Sequence, residues 1–325
     1  MRLLDILGSR PKEDSDTGYV RRAHFAGSWY SSTAQELNEN LSQYLADAEK
    51  KAPLQPGGHV RGLVAPHAGY SYSGLSAAFA YQYLAQALKQ HHSANTTVLV
   101  LHPSHYFYLD GCAVSNASVI ETPLGNLPVN RELQQEILSS SPLFTSMKRA
   151  TDEQEHSGEL QYPYIAKACK DAGIEPCMVL PVMVGSLGTQ KEESYGQLLA
   201  PIVARPNVIT VVSSDFCHWG SRFRYQPFVG NDNIFEQIEE MDRTGMNHIE
   251  MQEPGAFAKY IKQTSNTICG RHPIGVWLQA VKHNNETGVE RLDIKFLTYA
   301  QSSQVKNKND SSVSYASAVA RVMAT

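Results

Sequence analysis

"NVITVVSSDFCHWG" (residues 207–220) begins as a run of β-branched residues and ends in carboxyl, thiol, imidazole and indole side chains. A short apolar run of this kind fits a strand buried on both faces, and in open α/β sheets ligands sit beyond the carboxyl ends of such strands. The pattern occurs twice more. "VRGLVAP" (60–66) is followed by His67 in "PHAGYSYSG", and "TTVLVLHP" (96–103) is followed by Ser104 and His105. If the strands are parallel, those residues meet Asp215, Cys217, His218 and Trp219 on one rim. "CMVLPVMVG" (177–185) and "DIKFLTYA" (293–300) complete the expected strands.

Amphipathic stretches alternate with these runs, at 34–50, 74–90, 130–140, 159–173, 235–245 and 273–283. The alternation predicts an α/β fold: a single large domain with a mostly parallel central sheet flanked by helices. Residues 1–20 read as a flexible N-terminal arm and 21–325 as the domain. The apolar patch at the start is broken by Asp5 and is too short for a signal-peptide core. "QSSQVKNKNDSSVSY", from Gln301, reads as a long loop before a final helix of small residues. No apolar run approaches the ~20 residues of a membrane span.

With 28 Lys+Arg against 32 Asp+Glu, and no long cationic run, a field-driven nucleic-acid or membrane partner is not suggested. A small molecule or another protein fits better. The five cysteines are scattered and odd in number, unlike a secreted disulfide scaffold, which points to a reducing, cytoplasmic setting. Cys112, Cys169 and Cys177 read as inert buried thiols.

Taken singly, His67 or His105 is more often a hydrogen-bonded structural histidine than a ligand. Three histidines at three strand ends change that balance. Cys269, in "SNTICGRHP" (265–273), precedes a helix; Arg271 and the helix amides would favour its thiolate, as a metal ligand or a nucleophile, against burial as an inert thiol. Two imidazoles with a thiolate would form an open three-ligand set suited to copper, iron or zinc. In "TDEQEHSGELQYPY" (151–164), Thr151 and Asp152 are cap candidates and Glu155 and Glu159 read as a solvated acidic first turn. His156 there could carry a proton or orient a ligand. Trp29 could pack or wall a shallow pocket, and His91 and His92 read as solvated residues at a helix end. Arg222, Arg224 and Arg271 could attract a phosphorylated ligand, although solvated surface arginines are the ordinary case.

In order along the chain, "AHFAGSWY", "APHAGYSYSG", "HPSHY", "TPLG", "DEQEHSGELQYPY", "VVSSDFCHWG", "RFRY", "NTICGRHPIGV", "YAQSSQ" and "DSSVSYA" resemble the Memo family, the eukaryotic mediator-of-cell-motility proteins, from about His24 to Tyr315. The resemblance implies a fold similar to the class III extradiol dioxygenases, which hold iron(II) with two histidines and a glutamate. On that likeness His67 and His105 correspond to the histidine ligands and Cys269 to the glutamate. His218 matches the acid/base histidine, with Asp215 beside it.

The thiolate departs from the dioxygenase pattern but is the residue expected in the Memo family. The function implied is a copper- or iron-binding redox protein, with zinc a further candidate. It would be linked to cell motility, invasive growth and cytoskeletal or receptor-kinase signalling, in the cytoplasm and also the nucleus. Its partners would be signalling or cytoskeletal proteins. An alternative is an adaptor whose cleft, lined by Trp29, His67, His105, His218 and Cys269, binds phosphotyrosine peptides. A non-haem iron dioxygenase ranks below these, and a cysteine hydrolase using Cys269, His218 and Asp215 lower still.

Overall fold

The computed structural model describes residues 18–55, 57–91, 96–174, 177–230 and 233–323. The readings of residues 1–17 as an arm with an apolar patch too short for a signal peptide, and of His92, fall outside the described residues; Tyr19 and Val20, expected in the arm, instead belong to a strand paired with Ala117–Ile120, and Tyr19 is buried. So does the side chain of His91.

The elements run β1 (Tyr19–Arg21), α1 (Ala34–Lys51), β2 (Val60–Ala65), α2 (Tyr70–His91), β3 (Thr97–Pro103), β4 (Cys112–Ser115), β5 (Ala117–Ile120) and β6 (Leu127–Pro128). Then come α3 (Arg131–Ser140), β7 (Phe144–Met147), α4 (Arg149–Gln154), α5 (His156–Glu159), α6 (Tyr162–Ala172), β8 (Met178–Val184), α7 (Thr189–Val203) and β9 (Val208–Ser213). β10 (His218–Trp219), α8 (Ile234–Glu250), α9 (Pro254–Thr264), α10 (Arg271–Glu286), β11 (Leu292–Gln301) and β12 (Ser312–Val322) close the chain.

The large sheet has a parallel centre in the order β2, β9, β3, β8, with antiparallel β12 beside β2 and antiparallel β4 beside β8. β11 and β10 pair antiparallel with β12, so residues 293–300 form a strand at the antiparallel margin and not in the parallel centre. β2, β9 and β3 are buried along their full length and β8 everywhere but at Met178, as strands covered on both faces must be.

Register shows how the two faces are covered. Ala320 of β12 lies opposite Gly62 of β2, and Gly62 has no room for a Cβ because the Trp277 ring of α10 lies against it. Ser317, an odd number of residues from Ala320, therefore points to the other face, where its hydroxyl donates to the Ser76 carbonyl of α2. α10, packed on α7, covers one face; α2, packed on α1 and α6, covers the other.

Two expectations are corrected. The small-residue segment after the 302–311 connection is not a helix: "SVSYASAVARV" is strand β12, buried over most of its length. Alanine favours a helix locally, but tight packing of this strand between a helix and its neighbouring strands selects small side chains and overrides that propensity. Cys169 and Cys177 are not separate thiols. The connection from α6 to β8 brings their Cα atoms within 6.0 Å and the sulfurs are joined, a pairing that eight residues of separation could not reveal. Cys112 is a free, buried thiol as expected.

Candidate metal centre

β2, β9 and β3 end side by side, with Ala65 paired to Ser213 and Leu101 to Val212, so the residues that follow each strand share one rim. His67 is fully buried there. Its orientation follows from a chain of hydrogen bonds. Ser213 Oγ donates to the Ser157 carbonyl (2.7 Å) and accepts from Gln161 Nε2 (2.8 Å), so His67 Nδ1, 2.8 Å away, must be the donor to it. The Gln161 amide is itself fixed by Tyr81 Oη and the Pro66 carbonyl. The bare Nε2 of His67 then faces Cys269 Sγ at 3.1 Å.

His105 extends from the loop after β3, its ring centroid 5.2 Å from that of His67. Its Nδ1–H donates to Glu155 Oε1 (2.9 Å), while its backbone N–H donates to Glu155 Oε2 (2.6 Å). Glu155 also caps α5 by accepting from Ser157 N (3.0 Å). A carboxylate holding Nδ1 leaves Nε2 of His105 for a ligand, the arrangement that commonly orients metal-binding histidines. His156 stacks on His105 at 4.6 Å and meets the Trp29 ring at 4.5 Å.

Nitrogen, sulfur and carboxylate oxygen donors gather into two groups that share His67. His67, His105 and His156 form one, and His67, Asp215 and Cys269 the other, with the donor atoms of each within 4.8 Å of one another. The Cys269 thiol also interacts with the His105 ring. Asp215 Oδ1 accepts from His67 N (2.8 Å), and Asp215 N donates to Cys269 Sγ (3.2 Å). His218 Nδ1 faces the carbonyls of Phe216 (2.9 Å) and Thr267 (3.1 Å), so Nδ1 carries the proton and Nε2 is the basic nitrogen.

Protonation follows from burial. Burial, reinforced by neighbouring imidazoles, holds His67 well below the ordinary histidine range. Burial and then His105 bring His156 down to about 4, and burial brings His218 down to about 4. These rings are neutral near pH 7 and able to donate a lone pair. His105 is the exception: burial works against its charge, but hydrogen bonds to Cys269 and Glu155 prevail and raise it to about 10. Burial raises Asp215 to about 7 and also raises the Cys269 thiol, which His105 pulls back toward thiolate. Arg271 does not play the part expected of it; its guanidinium turns back to the Ile268 carbonyl.

The donor set fits a soft or borderline cation. Sulfur and imidazole predominate, and two of the rings have their Nδ1 atoms held by protein acceptors; Nε2 of His67 is bare, and Nε2 of His105 becomes a donor when a cation displaces its proton.

The acidic segment is corrected. Asp152, Glu155 and Glu159 are buried, not a solvated first turn, and Glu155 caps α5 where Thr151 and Asp152 were expected to cap. Arg21, itself buried, donates to Asp152 Oδ1 (2.8 Å), Glu159 Oε2 (2.6 Å) and the carbonyls of Asp152 and Glu155. Glu159 further accepts from Phe25 N and Tyr30 Oη, both at 2.7 Å, which holds the loop bearing Trp29 over His156.

Cys217 and Trp219 do not reach the rim. Both are fully buried, and Trp219 Nε1 donates to the Pro227 carbonyl. Sequence reading missed Glu155, Ser213 and Gln161 as the residues that orient the ligands. Nothing in the sequence distinguishes them: Glu155 and Gln161 lie in a polar segment, and Ser213 ends an apolar run as any strand-terminal serine would.

Comparison with known proteins agrees with this fold. The family model described as "Memo-like protein" matches residues 21–319. Protein MEMO1 of Danio rerio is 42% identical over 297 residues, covering 91% of this chain and 95% of that protein. Protein memo-1 homolog of Caenorhabditis elegans is 41% identical over 303 residues, covering 93% and 82%. Protein MEMO1 of Homo sapiens is 41% identical over 298 residues, covering 91% and 95%. Among solved structures, an uncharacterized protein of Escherichia coli K12 superposes with a TM-score of 0.50 at 16% identity, covering 78% of this chain and 98% of that one, a likeness of fold alone. With the family match running from Arg21, at the end of β1, to Val319 in β12, this chain belongs to the Memo-like family.

Proposed function

We propose that this chain is a metal-binding redox protein that holds copper or iron through His67, His105 and Cys269 and serves cell motility, invasive growth and cytoskeletal signalling in the cytoplasm. The observation that carries the metal reading is the bare Nε2 of a tautomer-fixed His67 facing the Cys269 sulfur at 3.1 Å. The link to motility and signalling rests on the Memo family resemblance. The bound metal would supply one-electron chemistry.

The protein's own residues supply the rest. Ser213 and Glu155 hold the imidazoles in place. His218 offers a basic nitrogen for a proton, and Asp215, raised to about 7, can gain or lose one near neutrality. His156 and Trp29 wall the cluster on one side. Ring cleavage ranks lower because a thiolate replaces the carboxylate of the dioxygenase pattern.

A second reading, an adaptor cleft for phosphotyrosine peptides, is favoured by the exposed rings of Tyr106 and Tyr108 directly after His105. Among the described residues no helix is long and apolar enough to cross a membrane. To test the function, the purified chain is loaded anaerobically with copper(I) or iron(II) and oxygen consumption is followed with an added thiol reductant. Metal-dependent turnover, lost on His67→Ala, supports the redox reading. Phosphopeptide binding unchanged by chelator, without metal-dependent turnover, supports the adaptor.

A further inference from the structure

Away from the histidine–cysteine cluster, α8, α9 and the 225–228 loop enclose a groove of about 450 Å³. Its walls include Tyr225, Phe228, Met241 and Tyr260. Both tyrosine hydroxyls point into the protein, Tyr225 Oη to the Thr264 carbonyl and Tyr260 Oη to the Met241 carbonyl, each at 2.8 Å. The rings therefore offer the groove carbon surface and π faces. Phe228 holds its place at a cost, with φ of 69°, a conformation that bulky residues rarely adopt and that concentrates at ligand-clamping positions. The preceding carbonyl, of Pro227, is pinned by Trp219 Nε1.

The rim is acidic. Glu240 and Thr244 line the groove and also a shelf along α8 that carries Glu236 and Glu239. Among the described residues no lysine or arginine lines the groove itself. Arg243, on the shelf, is taken by Glu239 at 2.6 Å, while Glu236 and Glu240 have no ion-pair partner among the described residues. Aromatic walls with unneutralised carboxylates at the mouth suit a cation on an aliphatic stem, and they disfavour an anion.

We propose that this groove binds an extended basic segment of a partner protein. One lysine or arginine side chain enters between the rings beside Glu240, and a second lies on the shelf at Glu236. Spacing sets the register. Glu236 and Glu240 are four residues apart on a helix, a rise of about 6 Å. An extended chain advances about 3.3 Å per residue and turns alternate side chains to the same side. The recognised pattern is therefore basic–any–basic. This site is independent of the metal reading, and its test is run with a chelator present so that neither result decides the other.

The experiment measures fluorescence polarisation of dye-labelled, glycine-flanked peptides against the full chain. The probes are an Arg-Gly-Arg peptide, an adjacent Arg-Arg peptide and a Glu-Gly-Glu peptide. The Arg-Gly-Arg peptide is expected to bind best and to weaken with added salt. Glu240→Lys, an exposed change, and Phe228→Gly, which relieves the positive φ while removing the ring, are each expected to weaken it by about tenfold. Equal binding of the acidic peptide, or affinity unchanged in both variants, overturns the proposal. Equal binding of the adjacent Arg-Arg peptide overturns the register. Self-association of the chain that Glu240→Lys abolishes puts a second copy in the groove and overturns it as well.

Discussion

Glu155→Gln keeps the shape of the side chain and removes its charge, so it isolates what the carboxylate does for His105. Oε1 accepts from His105 Nδ1 (2.9 Å) and Ser157 N (3.0 Å), while Oε2 accepts from His105 N (2.6 Å) and Tyr106 N (3.3 Å). A glutamine has one acceptor oxygen. Whichever way its amide turns, an NH₂ group meets N–H donors on one side, and the hydrogen bonds on the other side lose their charge assistance.

Hydrogen bonds to a charged acceptor contribute roughly 1.5–3 kcal/mol each, and His105 is about a third exposed, so the net loss of stability is expected at about 2–4 kcal/mol. Freed from its anchor, His105 should also bind metal more weakly, by roughly ten- to a hundredfold. Urea unfolding of the metal-free protein measures the first quantity, and competition with a chromogenic chelator measures the second. If stability falls while metal affinity stays at the wild-type value, Glu155 is only a helix cap and the orienting role assigned to it is wrong.

Arg21→Met should leave Asp152 and Glu159 buried without their counter-charge and destabilise the fold by about 3–5 kcal/mol in thermal unfolding; a loss under about 1 kcal/mol would contradict the anchoring role. Asp242 is buried among Asn266 and Tyr299, and burial raises it from 3.8 to about 6. Because the folded state holds this proton more tightly than the unfolded chain, its contribution is full below pH 4 and is lost as pH rises to 6. Relative to Asp242→Asn, which cannot ionise, the wild type should therefore lose about 3 kcal/mol across that interval and show no further difference above it, as read from denaturant unfolding at a series of pH values. At Gly196 a Cβ would lie 2.4 Å from that of Gln279, so Gly196→Ala should force α7 from α10 and cost about 1–3 kcal/mol in the same assay.

The parallel centre was legible because its strands are covered on both faces, which writes uninterrupted apolar runs ending together in polar residues. The gathering of His105 and Asp215 around His67 followed from that alone. From its own neighbourhood Cys269 was visible as a thiol near a helix start, and only the family resemblance set it beside the histidines; its approach to His67 across 202 residues is a product of topology. β12 was misread because alanine and serine fit a crowded strand as well as a helix. The buried carboxylates were misread because their partner, Arg21, lies 131 residues from Asp152. An acidic run looks solvated until the cation that neutralises it is located in space. Ser213 and Gln161 gave no warning, since a polar residue that orients a ligand looks in sequence like any other buried hydrogen-bonding group.

The central claim is that the Cys269 sulfur and the His67 and His105 imidazoles share one metal ion. The most direct measurement is anaerobic titration with iron(II) or copper(I), recording stoichiometry and sulfur K-edge absorption for the wild type and Cys269→Ser. The account expects one ion per chain and a metal–thiolate signal in the wild type, with loss of that signal and weakened binding in the variant. Equal binding by both proteins with no thiolate signal in either would contradict it.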